Sequence, residues 1–398
     1  MHYNPLLPDV REKPYPYYAY LREHAPVYWV EALQCWAVSR YADVDYIVRN
    51  PQTFSSAGLM GSFMGDLNPV PEVPWMIDLD PPAHTKIRKL VNKAFAPRLI
   101  TALESRIREI STQLLSDLRD RTEFDLVRDF STPLPVIVIA ELLGIDAEYR
   151  EDFKRWSDAL IRATTRPTDE AERAVIRHET HAMRSYLEQV IAQRRKAPQE
   201  DLITRLVQAE EDRHTLSAPE VIALTILILI AGNETTTNLI GNTALALLEH
   251  PAELAKVRAD RSLVPQLIEE VLRYDGPVQG LFRVAVREVE LAGTIIPAGA
   301  GVFYLNGSAN RDERKYPDPD RFDVLRNPHD HLAFGYGIHY CLGAQLACVE
   351  AKVALDALLF EQPPFVRTSE EMTRGDGLSV RGPKTLSLRF ETTCRTVA

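Results

Sequence analysis

Apolar residues recur every three to four positions over most of this chain and alternate in only a few short stretches, which predicts a mainly helical protein with small β-sheets. From Thr101 to Arg119, and again from Glu170 to Arg195, the apolar positions form a stripe among many charges, the pattern of amphipathic surface helices. Val27 to Val30 and Cys35 to Val38 read as the strands of a hairpin. A helix from Tyr41 to Arg49 follows and stops at Asn50-Pro51, since the residue before a proline is pushed away from helical angles. Between Phe282 and Leu305 the period shortens, and β-branched residues surround turns at Ala292-Gly293 and Pro297-Ala298-Gly299, which predicts a small sheet. The longest apolar run, Val221 to Ala231, falls short of the roughly 20 residues a membrane span needs, so no membrane anchor is expected.

Composition narrows the class. With 398 residues, 45% apolar and 26% charged, the chain can bury a large core. No Gly/Ser linker, low-complexity tract or internal repeat divides it, which predicts one domain over residues 1–398. A net charge of -10 argues against nucleic acid as a partner, because neutralising phosphates needs a basic surface. Four cysteines, Cys35, Cys341, Cys348 and Cys394, are too few and too irregular for a disulfide scaffold or a zinc site, and suit a reducing cytoplasm. Met1 to Val10 carries Pro5, Pro8 and Asp9 in place of a charged start and an apolar core, so no signal peptide is expected.

The densest chemistry lies in Phe334-Gly335-Tyr336-Gly337-Ile338-His339-Tyr340-Cys341-Leu342-Gly343. Three glycines allow a tight turn close to a flat partner, and the residues after Gly343 read as a helix start, whose free amides and positive dipole end favour a thiolate. His339 offers a nitrogen donor to the same region. An isolated cysteine is most often a small buried hydrophobe. The whole string, however, resembles the cysteine-ligand loop of the cytochrome P450 family, Phe-x-x-Gly-x-His-x-Cys-x-Gly, met at Phe334, Gly337, His339, Cys341 and Gly343. The resemblance implies a P450-like fold with haem b between a central oxygen-binding helix and this loop. It also implies Cys341 as the axial ligand, with electron density pushed onto iron by the thiolate, and His339 as a hydrogen-bond donor to a haem propionate.

Further motifs stand in the family's order. Within the apolar helix, Ala231-Gly232-Asn233-Glu234-Thr235-Thr236 places a helix-weakening glycine beside a carboxylate and a hydroxyl. Thr235 can bond back to the carbonyl of Ala231 and open a groove, or the helix can simply kink where it meets solvent. By resemblance, Glu234 and Thr235 are the acid-alcohol pair: Glu234 relays protons and Thr235 hydrogen-bonds bound dioxygen. Glu270 and Arg273 in Glu269-Glu270-Val271-Leu272-Arg273 form an ordinary helical pair in isolation; by resemblance they are structural and lock a meander containing Asn310 to Asp312 and Tyr316 to Asp323. His84 and Arg88, four apart after Asp80-Pro81-Pro82, would by themselves be a solvated basic face. The resemblance makes them propionate donors together with Arg283.

The substrate reading is a lipophilic small molecule of the fatty acid, terpenoid or steroid class. Candidate walls are Leu227, Ala231, Val278 and Leu281, and the stretch Leu59 to Trp75, with Met60, Phe63, Met64, Val70 and Trp75, reads as a roof loop. Leu386-Ser387-Leu388 departs from the family, which often has proline there. No dinucleotide fingerprint is present, so electrons are expected from a separate ferredoxin or flavodoxin and its reductase. Lys86, Arg88, Lys89, Lys93 and Arg98 could steer such an acidic partner, or be a plain solvated face. The implied activity is a monooxygenase inserting one oxygen atom by hydroxylation or epoxidation. A peroxide-driven peroxygenase would not need the acid-alcohol pair, and a non-catalytic haem protein of this fold would be expected to lose Cys341 or Thr235.

Overall fold

The computed structural model describes residues 1–58, 64–95, 97–119, 121–164, 169–211, 214–369, 371–375 and 377–391. Met60, Phe63 and Cys394 lie outside these, as does the side chain of Arg98. Helix is the dominant element, as the apolar period predicts. In chain order, the elements that position functional residues are α1 (Tyr15–His24), β1 (Val27–Val30), β2 (Cys35–Val38), α2 (Tyr41–Arg49) and α3 (Ala83–Ala94). They are followed by α4 (Pro97–Ser116), α5 (Pro133–Leu143), α6 (Arg150–Thr164), α7 (Glu170–Lys196), α8 (Ala218–Glu249) and α9 (Val264–Asp275). The series ends with β3 (Leu281–Ala285), β4 (Val289–Leu291), β5 (Thr294–Ile296), β6 (Gly301–Tyr304) and α10 (Ala344–Phe360).

The chain forms two compact units, one of Met1–Thr53, Thr101–Pro135 and Glu234–Ala398, the other of Phe54–Ile100 and Val136–Asn233. In the first, β1 and β2 make the expected hairpin with Val27 opposite Val38, and β2 runs parallel to β6, which pairs antiparallel with β3. The inner side chains Val30, Cys35, Ala37 and Phe303 pack with Tyr3, Tyr18 and Leu21 into a buried cluster. The stretch from Phe282 to Leu305 is therefore two structures: β3 and β6 join this sheet, while β4 and β5 form a hairpin of their own. Alternation marks a strand but leaves its partner open, because pairing depends on which buried face it must match.

Helix ends also moved. α4 begins at Pro97, whose missing N–H costs nothing in a first turn, and ends at Ser116, where Leu118 and Arg119 take tighter bonds to Leu115 and Ser116. In the second unit, α6 and α7 pack together, with α7 also against the helix Leu202–Gln208. α7 buries Ile176, Met183, Leu187, Val190 and Ile191, the stripe its sequence predicts. α8 is helical throughout, and at its full length it is long and apolar enough to cross a membrane, beyond what its longest unbroken apolar run suggested. Its Val221, Leu224, Ile226, Leu239, Ile240 and Leu245 are instead buried inside the protein.

Candidate active site

The cysteine loop is built by its own backbone. Cys341 N–H donates to the Phe334 carbonyl at 3.0 Å, Tyr340 N–H to Gly337 at 3.1 Å and Gly335 N–H to Leu332 at 2.9 Å. Leu332 N–H in turn donates to Asn310 Oδ1 at 2.7 Å. Gly337 has φ +70°, and a Cβ placed there would stand 2.6 Å from the Val48 carbonyl oxygen, so both conformation and close approach to α2 require glycine. On the outer side, the Arg49 guanidinium lies 3.5 Å from the centroid of the exposed Tyr336 ring. Gly343 caps α10, whose unbonded first amides thus begin just after Cys341. Cys341 and His339 are both half-buried, and Cys341 is outside any disulfide. Cys348, the fifth residue of α10, differs: burial pushes its thiol up to about 12 and holds it protonated.

α8 carries the second group. Ile228, Gly232 and Thr235 are half-buried and Ala231 exposed, between turns whose side chains are almost wholly buried; the spacing puts the four on one face. Leu227 is buried beside them. A Cβ at Gly232 would meet Ile139 Cδ1 of α5 at 2.8 Å, so the end of that side chain would have to shift to admit one. Glu234 is half-buried, and burial raises its carboxyl pKa, favouring the proton-bearing form. Neighbouring polar groups anchor the helix: Asn233 Nδ2 donates to Ser157 Oγ at 2.9 Å and Thr237 Oγ1 to the Ser131 carbonyl at 3.0 Å.

Glu270 and Arg273 are fully buried and joined by two bonds of 2.8 Å. The guanidinium also donates to the carbonyls of Asn310, Pro319 and Arg321, and Glu270 Oε1 accepts from Asp323 N–H at 3.0 Å and Arg326 Nε at 3.3 Å. The meander reading thus stopped short of Arg326, which sits just past the Tyr316 to Asp323 run and looks in sequence like any surface arginine. A second hub had no sequence signal. Asp275 is held by Arg381 at 3.1 Å, Arg374 at 3.3 Å and Tyr15 Oη at 2.5 Å, while Asn242 of α8 donates to the Asp275 carbonyl at 2.8 Å. Burial alone would raise the Asp275 carboxyl, yet these arginines hold it at about 2.

Arg283 on β3 is buried, donates to its neighbour Phe282's carbonyl at 2.7 Å and lies 5.2 Å from the Tyr304 ring centroid. Val278 bridges to Val380, and Leu281 is half-buried at the start of β3. In the second unit, His84 is buried on α3 and Arg88, half-buried, donates to Asn92 at 3.1 Å. Lys86, Lys89 and Lys93 are exposed, and Lys93 Nζ donates to the Glu210 carbonyl at 3.0 Å.

A thiol on a glycine-built loop, a buried arginine on a sheet strand and a half-buried carboxyl-hydroxyl pair on a helix are donors suited to haem: sulfur for iron, a fork for propionate, a proton carrier for dioxygen. With the mainly helical fold they fit a haem-thiolate oxidoreductase. The Cytochrome P450 family model matches residues 74–384. The putative cytochrome P450 YjiB of Bacillus subtilis is 43% identical over 354 residues, 88% of this chain and 87% of that protein. The vitamin D(3) 25-hydroxylase of Pseudonocardia autotrophica is 38% identical over 379 residues, 93% and 92% of the two chains. The solved structure of CYP109Q5 from Chondromyces apiculatus superposes with TM-score 0.92 at 42% identity, covering 97% of each chain. The chain belongs to the cytochrome P450 family. It is an oxidoreductase of the monooxygenase type, which uses haem, dioxygen, a lipophilic substrate and a redox partner.

Proposed function

We propose that this protein inserts one oxygen atom into a C–H or C=C bond of a fatty acid, terpenoid or steroid, with Cys341 as the thiolate ligand of haem b. Hydroxylation then balances as RH + O2 + 2 e⁻ + 2 H⁺ → ROH + H2O. The observation that carries the reading is the pair of cysteines: Cys341 sits on a glycine-built turn at the start of α10, while burial keeps Cys348 a neutral thiol. Bound haem supplies dioxygen activation. The chain's own residues do the rest. Arg283, His84, Arg88 and His339 donate to the propionates, Phe334 and Gly343 shape the turn, and Glu270 with Arg273 holds the meander.

Glu234, whose carboxyl pKa is raised by burial, relays protons, and Thr235 at the adjacent position would donate a hydrogen bond toward dioxygen. Both protons of the balance need such a route, which favours a dioxygen-driven reaction over a peroxide-driven one. Leu227, Ala231, Val278 and Leu281 give an apolar lining, in keeping with a relative named for hydroxylating vitamin D(3), itself a lipophilic molecule. One P450 domain over residues 1–398, a cytoplasmic location and electron supply by a ferredoxin or flavodoxin with its reductase belong to the same proposal. The test is the reduced protein with carbon monoxide. It should show the strongly red-shifted Soret band of thiolate-bound haem. Cys341→Ser should lose that band and Cys348→Ser keep it; the opposite result would overturn the assignment.

A further inference from the structure

Residues 64–75 make a strap with an unusual division of labour. Met64, Leu67, Val70 and Trp75 are buried at 0–2% exposure, while among the described residues Asn68 N–H donates to the Gly65 carbonyl and Val70 N–H to Asn68 Oδ1, both within the stretch. Among the described residues, its polar fastenings to the rest of the second unit run to three arginines of α7. Arg173 and Arg177 bind Asp66, the latter at 3.3 Å. Arg184 grips Glu72 with two bonds of 2.6 and 3.1 Å and donates to the Pro69 carbonyl at 2.9 Å. Residues 173, 177 and 184 fall on one helical face, so the three guanidinium groups form a row along the strap.

These pairs are largely exposed, Asp66 at 63% and Glu72 at 38%. Exposed pairs contribute little individually and are screened by salt. The strap's apolar side chains supply the bulk of its adhesion, while charge pairs at its margin set how readily it lifts.

We infer that Asp66, Glu72 and the arginine row of α7 form an ionic latch that slows the opening of residues 64–75, and with it the entry of apolar molecules. The entry half rests on the proposed function and on the sequence reading of Leu59 to Trp75 as a roof loop. Arg173 and Arg177 also bind Glu170, and Arg184 also binds Glu188 at 3.0 Å, so the freed arginines keep partners on α7 when the strap lifts. Opening therefore exchanges charge pairs without stranding a charge.

The test uses the holoenzyme in stopped flow with two probes that ligate haem iron, 4-phenylimidazole and cyanide, at ~20 mM and ~500 mM sodium chloride, which moves the screening length from well above to well below 10 Å. Association of 4-phenylimidazole should quicken about three- to tenfold at high salt, the effect of releasing two such fastenings. Cyanide, small enough to enter past a closed strap, should not change. Arg184→Glu should reach the fast rate already at low salt, and Glu72→Arg with Arg184→Glu should restore the slow, salt-dependent one. Hydrogen exchange of amides 64–75 should rise in Arg184→Glu and fall back in the double variant. Unchanged exchange would overturn the latch; faster exchange with unaltered 4-phenylimidazole association would overturn the gate. A protein that never shows the red-shifted carbon monoxide band would fail as a haem-thiolate enzyme, while the exchange arm would still decide the latch.

Discussion

Glu350 should make the folded protein less stable as pH rises, and Glu350→Gln should remove that dependence. The residue lies on the face of α10 that buries Leu346, Val353, Ala354 and Ala357. It is 2% exposed, and its Oε2 has no hydrogen-bond partner among the described residues. Burial raises its carboxyl from 4.5 to about 8. Between those values the folded state binds a proton that the unfolded chain has released, so stability is greatest below the unfolded pKa and is lost as pH climbs toward the folded one. At about 1.36 kcal/mol per pH unit, the penalty at pH 7 is about 3 kcal/mol, and it levels off near about 5 kcal/mol above pH 8. A glutamine has the same shape and no charge to desolvate. Urea denaturation of the holoprotein at pH 5, 7 and 8.5 should show Glu350→Gln within about 1 kcal/mol of the parent at pH 5 and about 3 kcal/mol more stable at pH 7. A difference that is the same at all three pH values would refute the argument, since it would mean that Glu350 does not change its protonation on folding.

Thr235→Ala should retain haem and substrate binding but divert reducing equivalents to hydrogen peroxide; unchanged product per reduced nicotinamide would leave Thr235 only a helix residue. Arg273→Ala should cost about 3–5 kcal/mol and lower haem retention, because it removes both of the 2.8 Å bonds to the buried Glu270 carboxylate and the three carbonyl bonds to the meander. Arg273→Lys should not rescue it, since one ammonium cannot replace a fork that bonds Glu270 and three carbonyls; native stability in the lysine variant would contradict this. If α3 steers an acidic redox partner, reduction should slow with added salt, and Lys86→Glu with Lys89→Glu should slow it at low salt with substrate binding intact.

Local signals carried the family and most elements. Tyr41 to Arg49 was legible to the residue because Asn50-Pro51 ends it, and the Cys341 loop because its glycines sit where the turn demands them. α7 was legible because a long amphipathic stripe has no other way to bury itself. The pairing of Glu270 with Arg273 could also be read, since both lie on one helical face.

What these residues bind at long range could not be read. Arg326 meets Glu270 across 56 positions, Asn242 meets Asp275 across 33, and Asp66 meets Arg173 across 107. No period or motif links such partners, because the chain between them sets their distance only after it has packed. The same holds for Glu234 and Glu350, two glutamates on apolar helices whose carboxyl groups both shift upward. Residue type sets the ordinary pKa; the departure from it comes from the atoms that exclude water, and those come from elsewhere in the chain. Covalent neighbours thus dictated turns, helix stripes and the thiol loop, whereas burial, charge pairing and protonation arose from contacts that exist only in the folded molecule.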